Sequence, residues 1–281
     1  MNNRFNRTAP FVTVCATRFA RQRTNRANPL RGTGLPVKRM LDGRSAQEGN
    51  KKPMNQMFEV YNNYSNKYDE LVNHEDYKNN LKSFLNDKIS WKDKTICEFG
   101  VGTGRVTKIY IEKVKNATLL DNSQHMLERA KMNLSQWTNK ICLTDFDNKN
   151  IHLLENSFDF IIEGWSFGHL IVNEKDNVDY WIEMLINESI KKANEKVIFI
   201  ETMGTNVESP KAPGNILPYF YSKLKESGFE DRIIETDYEF SSCSEASRIM
   251  GSFFGESMKE DIMNRQLTII NEFTGIWIFN K

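Results

Sequence analysis

Three alternating glycines, Gly100, Gly102 and Gly104, follow the predicted buried strand that ends at Phe99 and precede a stretch with helical periodicity. Glycine is needed where the backbone takes a positive φ or where a ligand lies directly against it. In an open α/β sheet, ligands bind in the crevice outside the carboxyl ends of the strands. The loop therefore predicts a binding site in which a small molecule closely approaches the backbone.

The spacing and the charge of this loop limit the ligand. The pattern is GxGxG, with Arg105 where the dinucleotide fingerprint GxGxxG has its third glycine, and no GK[ST] follows as in a phosphate loop. Glu98 lies two residues before Gly100. A carboxylate there would repel a pyrophosphate and attract a cationic amine or sulfonium. The charge thus argues against a phosphate ligand.

These residues resemble the first motif, ExGxGxG, of the class I S-adenosylmethionine-dependent methyltransferases. Leu119–Ala130 is similar to the DxSxxMLxxA segment of that family, and Asn156–Ile162 resembles the SFDxV entry to its fourth strand. The three motifs occur in order within residues 95–165, and a looser likeness extends over residues 54–281. The resemblance implies a methyltransferase that uses S-adenosyl-L-methionine as its cofactor.

The resemblance also implies which residues bind the cofactor. Asp121 would accept hydrogen bonds from the ribose hydroxyls, although it could instead cap the helix that starts near Ser123. Glu98 would lie near the methionine part. Asp145 and Phe146 would contact the adenine, with Asp147 an equal candidate by spacing, and Met126 would cover the adenine or belong to the core. The predicted cofactor-binding set is Glu98, Gly100, Gly102, Gly104, Asp121, Asn122, Met126, Asp145, Phe146 and Glu163.

The acceptor site is predicted at the loop after the fourth strand, Glu163–Leu170, which faces the transferring methyl group in this family. Trp165 would wall the site, and His169 is a candidate base, needed only for an acceptor that must lose a proton, or else a packing residue. Tyr64 and Tyr68 lie on a leading helix that often folds over the cofactor in this family. The predicted substrate-binding set is Tyr64, Tyr68, Trp165 and His169.

The elements that must position these residues alternate along the chain. Runs rich in β-forming residues are separated by helical patterns, which predicts βαβ units and a mostly parallel sheet with helices on both faces. Together with the resemblance, this predicts a doubly wound, Rossmann-like α/β fold with seven strands, the last of them antiparallel. A helical lid over residues 53–90 and a substrate-side insertion over residues 204–265 would flank the core. The predicted strands are Thr95–Phe99, Ala117–Leu120, Lys140–Leu143, Phe158–Glu163, Lys196–Glu201, Arg232–Phe240 and Gly275–Asn280.

The charge divides the chain into two parts. Residues 1–50 hold 10 of the 38 basic residues and 2 of the 37 acidic ones, so the remainder is net acidic although the whole chain is at +1. Residues 1–52 lack the apolar content of a packed domain, which predicts a disordered basic tail ahead of a domain at 53–281. The tail resembles an organellar transit peptide; alternatively it lies outside the working protein or serves as a nucleic-acid arm.

Composition and motifs also restrict the function. No apolar run is long enough to span a membrane, and the four scattered cysteines lack the spacing of a zinc site, so we expect a cytoplasmic protein without a metal, or an organellar one if the tail is a transit peptide. Glu163–Ser166 stands where methyltransferases of nucleic-acid bases carry NPPY or DPPY. We therefore expect methyl transfer to a small-molecule acceptor, with protein or RNA methylation, or non-catalytic cofactor binding, as alternatives. The sequence does not predict an oligomeric state.

Overall fold

The computed structural model describes residues 65–281. The basic tail, Tyr64 and the first part of the predicted lid lie outside these residues. The strands are β1 (Thr95–Phe99), β2 (Asn116–Asp121), β3 (Ile141–Asp145), β4 (Phe158–Gly164), β5 (Ala193–Thr205), β6 (Glu230–Glu235), β7 (Tyr238–Glu239), β8 (Ile269–Ile270) and β9 (Glu272–Asn280).

Seven of these strands form one sheet in the order β3-β2-β1-β4-β5-β9-β6. Strands β1 to β5 are parallel to one another, whereas β9 inserts antiparallel between β5 and β6. The strand order reverses between β1 and β4, which creates a crevice at their carboxyl ends. The predicted doubly wound α/β fold with an antiparallel last strand is confirmed.

Helices cover both faces of the sheet. Because side chains alternate along a strand, Val197 and Phe199 of β5 join one buried cluster, and Ile198 and Ile200 join the cluster on the opposite face. The helices are α1 (Ser65–Val72), α2 (Asn80–Lys88), α3 (Thr107–Tyr110), α4 (Gln124–Asn133), α5 (Phe167–Asn173), α6 (Val178–Lys192), α7 (Ile216–Glu226), α8 (Cys243–Phe254) and α9 (Glu256–Arg265).

A third buried cluster joins α1 to the late part of the chain. Leu71 of α1 packs with Tyr238 of β7, Phe253 of α8 and Ile262 of α9. We refer to α1, β7, β8, α8 and α9 together as the cap. Two ion pairs hold α1 against its neighbours. Glu70 of α1 pairs with Arg248 of α8 at 2.7 Å, and Asp69 of α1 pairs with Arg129 of α4. The cap therefore lies over the carboxyl end of the sheet.

Two predicted elements differ from the structure. The run Arg232–Phe240 is not one strand, because the chain leaves the large sheet after Glu235 and β7 pairs with β8 in a second sheet. At the break, Thr236 is fully buried and its hydroxyl lies 2.7 Å from that of Thr274. The segment after β4, predicted as a loop, contains the short helix α5. No helix between residues 65 and 281 has both the length and the hydrophobicity that crossing a bilayer requires.

Candidate functional site

Two adjoining cavities lie at the carboxyl ends of the central strands. The smaller has a volume of about 330 Å³ and follows the ends of β1, β2 and β4. The larger, of about 680 Å³, lies between the sheet and the cap. Tyr68, Trp165 and His169 line both cavities. Both volumes are in the range of small-molecule sites, and the shared walls make the cavities neighbours.

The glycine loop forms one wall of the smaller cavity. Gly100 has φ +68°, and a Cβ there would lie 2.3 Å from the Cβ of Ser166. Gly102 has φ +53°, and a Cβ would come within 3.7 Å of the Tyr68 ring. Gly104 lies outside the cavity lining, where its Cβ would meet Leu134 at 3.0 Å. The first two glycines therefore leave room at the cavity, and the third lets the loop pack against the chain after α4.

Asp121 ends β2 and fixes the loop from the other side of the smaller cavity. Its Oδ2 accepts a hydrogen bond of 2.8 Å from the Gly102 amide, and its Oδ1 accepts one of 2.9 Å from the Ser123 amide. The N-terminal residue that closes α4 is Ser123, whose hydroxyl accepts a hydrogen bond from the Met126 amide at 3.4 Å. Burial raises the pKa of Asp121. An ionised carboxylate has about four acceptor positions, so two further donors can bind here.

Of Asp145 and Asp147, the two acids predicted as candidates for the adenine contact, one lines the smaller cavity. Asp147 lines the cavity, together with the exposed Asn122 and the buried Met126. Asp145, at the end of β3, is exposed and lies outside the lining. Phe146 is buried in the core, with its ring 6.1 Å from that of Phe99. Of these three candidates only Asp147 lines the cavity, because Asp145 is exposed outside the lining and the Phe146 ring packs into the core.

Glu98, predicted to lie near the methionine part of the cofactor, does not line the smaller cavity. Its side chain is buried beneath the loop, where Oε2 accepts hydrogen bonds from the Thr107 hydroxyl at 2.7 Å and from the Tyr110 hydroxyl. Burial raises the pKa of Glu98 to about 7, although the two hydrogen bonds lower it. Glu98 therefore anchors α3 to β1 and lies outside the cavity lining.

Glu163 also lies beneath the cavity floor and does not line it. Its Oε1 accepts from the amides of Ser166 at 2.8 Å and Phe167 at 3.2 Å, at the start of α5. Glu201 of β5 accepts from the Gly168 amide at 2.6 Å, and a Cβ on Gly168 would lie only 2.7 Å from that carboxyl oxygen. Burial raises the pKa of Glu163 to about 7 and that of the adjacent Glu201 well above its usual value. The two carboxyl groups together hold the start of α5.

Trp165 precedes α5 and takes a backbone conformation that is unusual for a bulky residue, with φ +51°. Its amide donates to the carbonyl of Ile200 at 2.8 Å, which fixes the turn. The guanidinium of Arg105 stacks 4.0 Å from the centre of the Trp165 ring. This strained, supported position places the indole between the two cavities.

The other two shared residues are neutral near pH 7. Burial lowers the pKa of His169 to about 4, so the imidazole is uncharged. Burial raises the pKa of Tyr68 to about 12, against the positive charge of Arg105, so the phenol keeps its proton. A neutral imidazole can accept a proton and a phenol can donate a hydrogen bond. The His169 imidazole and the Tyr68 phenol therefore add no charge to the wall that the two cavities share.

The larger cavity combines apolar walls with a buried ionic cluster. Glu75 and Arg105 form an ion pair of 2.6 Å, and Glu272 is buried beside them. Burial raises the pKa of Glu75 and of Glu272, the latter also through the negative charge of Glu75. The aromatic residues of the lining are Tyr68, Trp165, Tyr238, Phe253 and Phe254.

Sequence reasoning missed the charged part of this cavity. Glu75, Arg105 and Glu272 have no motif around them, and Arg105 drew notice only as the residue in place of a third glycine. The aromatic content of the insertion was a usable signal, because Tyr238, Phe253 and Phe254 do line the cavity. Of the predicted substrate-binding set, Tyr68, Trp165 and His169 are brought together, while Tyr64 lies outside the described residues. No group of three or more potential metal ligands occurs among residues 65–281.

Comparisons with known proteins match this chain to methyltransferases. A family model described as a methyltransferase domain matches residues 96–185. An uncharacterised methyltransferase of Anoxybacillus flavithermus is 26% identical over 215 residues, which cover 75% of this chain and 94% of the relative. One from Bacillus licheniformis is 28% identical over 176 residues, covering 60% of this chain and 75% of the relative. The names of these relatives state methyltransferase activity and do not specify a methyl acceptor.

Two solved structures share the fold at low sequence identity. A putative methyltransferase from Bacillus halodurans is 9% identical, with a TM-score of 0.51, and covers 71% of this chain and 98% of its own. The [4+2]-cyclase SpnF is 10% identical, with a TM-score of 0.54, and covers 82% and 97%. Because one fold supports different chemistry, these two matches bear on architecture alone.

Proposed function

The chain belongs to the class I S-adenosylmethionine-dependent methyltransferases, and we propose that it methylates a small molecule bound in the larger cavity while the cofactor occupies the smaller one. The observation that carries this proposal is that the two cavities share Tyr68, Trp165 and His169. A donor and an acceptor in neighbouring cavities with a common wall can be held in line for a direct transfer.

The residues of the smaller cavity fit this cofactor. Gly100 and Gly102 leave space for a ligand against the backbone, and Asp121 has acceptor positions for two ribose hydroxyls beyond the two amides it already binds. Asp147 can accept from an adenine amine, beside the apolar Met126. S-adenosylmethionine would supply a methyl group activated by a positively charged sulfonium.

The protein contributes alignment and exclusion of water. Tyr68 and Trp165 contribute aromatic rings to the walls of both cavities. The carboxyl pair Glu163 and Glu201 fixes the start of α5 and therefore His169. A rigid, dry wall favours a displacement in which the nucleophile loses its hydration shell. For an acceptor that carries a proton on its nucleophile, the neutral His169, which lines both cavities, is the candidate base.

The shape and charge of the larger cavity support a small acceptor. The cap covers it with side chains from α1 and α8, among them Leu71 and Phe253. A surface that binds nucleic acid would need an excess of basic side chains to contact phosphates. Here Glu75 and Glu272 accompany Arg105 and the exposed Lys211, so the lining has no excess of basic side chains.

A methyl-transfer assay tests the proposal. The full chain would be incubated with cofactor carrying a labelled methyl group and with separate panels of thiols, phenols, amines and halides, and with total cellular RNA and protein as comparison substrates. We expect label in a low-mass product, and loss of that product in Asp121→Ala. Label that enters RNA or protein alone would contradict a small acceptor, and failure to bind S-adenosylhomocysteine would contradict the whole proposal.

A further inference from the structure

One carboxylate oxygen in the larger cavity has no partner. Glu272 is 3% exposed and lines the cavity. Its Oε1 accepts a hydrogen bond of 3.3 Å from the Thr202 hydroxyl, whereas its Oε2 is buried without a hydrogen-bond partner among the described residues. A buried polar atom without a hydrogen-bond partner is destabilising. Oε2 has less than 1 Å² of accessible surface, so a ligand in the cavity can donate to it once the Glu272 side chain turns toward the cavity.

The charges around this oxygen do not balance. The carboxyl groups of Glu75 and Glu272 are buried, and the one cation beside them, the partly buried Arg105, already forms its ion pair with Glu75 at 2.6 Å. Tyr238 is also buried against Glu75, and its neutral phenol adds no positive charge. The remaining cation of the lining, Lys211, is exposed on the loop after β5. The buried cluster therefore has one carboxyl group more than it has cations.

The walls next to the cluster favour the same kind of ligand. Tyr68 and Phe253, with ring centres 6.1 Å apart, line the cavity along with Tyr238 and Phe254. The negative faces of aromatic rings attract cations, and they also accommodate an apolar body. Arg105 lies between Trp165 at the shared wall and Glu75 in the cluster. A ligand can thus reach from the shared wall to the carboxyl groups.

From this arrangement we propose that the acceptor is an amphipathic amine whose protonated amino group binds Oε2 of Glu272, separate from the atom that receives the methyl group. This inference rests on the proposed function, because it assigns the substrate class of the same cavity. The ammonium group would donate to this oxygen, and its positive charge would stabilise the ionised form of Glu272. The apolar part would lie along the aromatic walls and present its nucleophile at Tyr68, Trp165 and His169.

Binding of three matched probes to the full chain tests the inference. Calorimetric titrations with 2-phenylethylamine, 2-phenylethanol and phenylacetate, which are cationic, neutral and anionic, would use protein saturated with S-adenosylhomocysteine. We expect the amine to bind at least about tenfold more tightly than the alcohol, because a hydrogen bond between charged groups contributes more than a neutral one. Equal affinities, tighter binding of the anion, or no binding of the amine would overturn the inference.

The variant Glu272→Gln assigns the preference to one side chain. It should reduce the preference for amine over alcohol to within about twofold and leave the affinity for S-adenosylhomocysteine unchanged, since Glu272 lies outside the lining of the smaller cavity. A preference retained in a variant that still binds S-adenosylhomocysteine would overturn the inference. If the variant does not fold, the ratio measured on the wild-type protein decides. If the wild-type protein does not bind S-adenosylhomocysteine, the proposed function is refuted instead.

Discussion

The two cavities are built from different parts of the chain. Apart from Tyr68, every residue that lines the smaller cavity falls within residues 96–185, the segment that the methyltransferase family model matches. Apart from Arg105, Trp165 and His169, every residue that lines the larger cavity falls outside it. The proposed cofactor site thus lies almost wholly in the segment that matches the family model, whereas the proposed acceptor site is assembled mainly from the cap, the end of β5, the loop after it and the start of β9.

The largest expected effect separates two neighbouring acids at the smaller cavity. Asp121 and Asp145 are paired in register at the ends of β2 and β3, and Asp121 alone of the two lines the cavity. Asp121→Ala should weaken S-adenosylhomocysteine binding by about 100-fold, since two hydrogen bonds to a charged group are lost.

The matched control for this prediction is Asp145→Ala. Its side chain is exposed outside the cavity, so calorimetry should find the affinity within about twofold of the wild type. Equal losses in both variants would show that the end of β3 contributes to the cofactor site and would remove the distinction between the two acids.

A second prediction compares one glycine from each cavity. Gly102 and Gly214 have φ +53° and +69°, so a valine imposes similar backbone strain at either position. A side chain on Gly102 projects toward Tyr68 across the smaller cavity, whereas a Cβ on Gly214, in the larger cavity, meets no atom within 4 Å. Gly102→Val should weaken S-adenosylhomocysteine binding by about tenfold or more, and Gly214→Val should leave it nearly unchanged. Comparable losses in the two variants would indicate strain alone.

The sequence predicted the cofactor half better than the acceptor half, for a physical reason. Backbone requirements are local, so the positive φ of Gly100 and Gly102 and the position of Asp121 at a strand end could be inferred from a few adjacent residues. The direction of a side chain is not local: Glu98 and Glu163 occupy the predicted positions and turn into the core, where Thr107 and the amides of α5 bind them.

The acceptor half depends on contacts between distant residues. Glu75 and Glu272 come from opposite ends of the described chain and meet because β7 bridges to Glu75 and β9 inserts beside β5. No local pattern distinguishes Glu272 from a surface acid that precedes a strand. The cap aromatics could be counted in the sequence, but their common cavity required the fold.

A third prediction tests whether Glu98 is structural. Its pKa of about 7 lies above the ordinary 4.5 of the unfolded chain, so its contribution to stability is present below about pH 4.5 and is lost as the pH rises through 7. Glutamine does not titrate, so the stability of Glu98→Gln relative to the wild type should increase over that interval. Urea unfolding at several pH values measures this change.

The same variant should bind S-adenosylhomocysteine within about twofold of the wild type, because Glu98 lies outside the cavity. Glu256→Gln, at an exposed position, serves as the control and should leave the pH dependence of unfolding unchanged. A large loss of cofactor affinity in Glu98→Gln, with a normal unfolding curve, would return Glu98 to the cofactor site.

The smallest expected effect concerns the shared wall. The pKa of His169, lowered to about 4, lies below the ordinary 6.5, so the unfolded chain binds the proton first and stability rises with pH between about 4 and 6.5. His169→Gln should flatten the unfolding free energy in that interval, and the exposed His125→Gln should not. An unaltered slope in His169→Gln would mean that folding does not lower the pKa of His169.

A crystal structure of the full chain with S-adenosylhomocysteine tests the division between the cavities most directly. We expect the ribose hydroxyls at Asp121, the adenine near Met126 and Asp147, and the sulfur facing the larger cavity between Tyr68, Trp165 and His169. A ligand in the larger cavity, or a sulfur atom turned away from those three residues, would contradict the account.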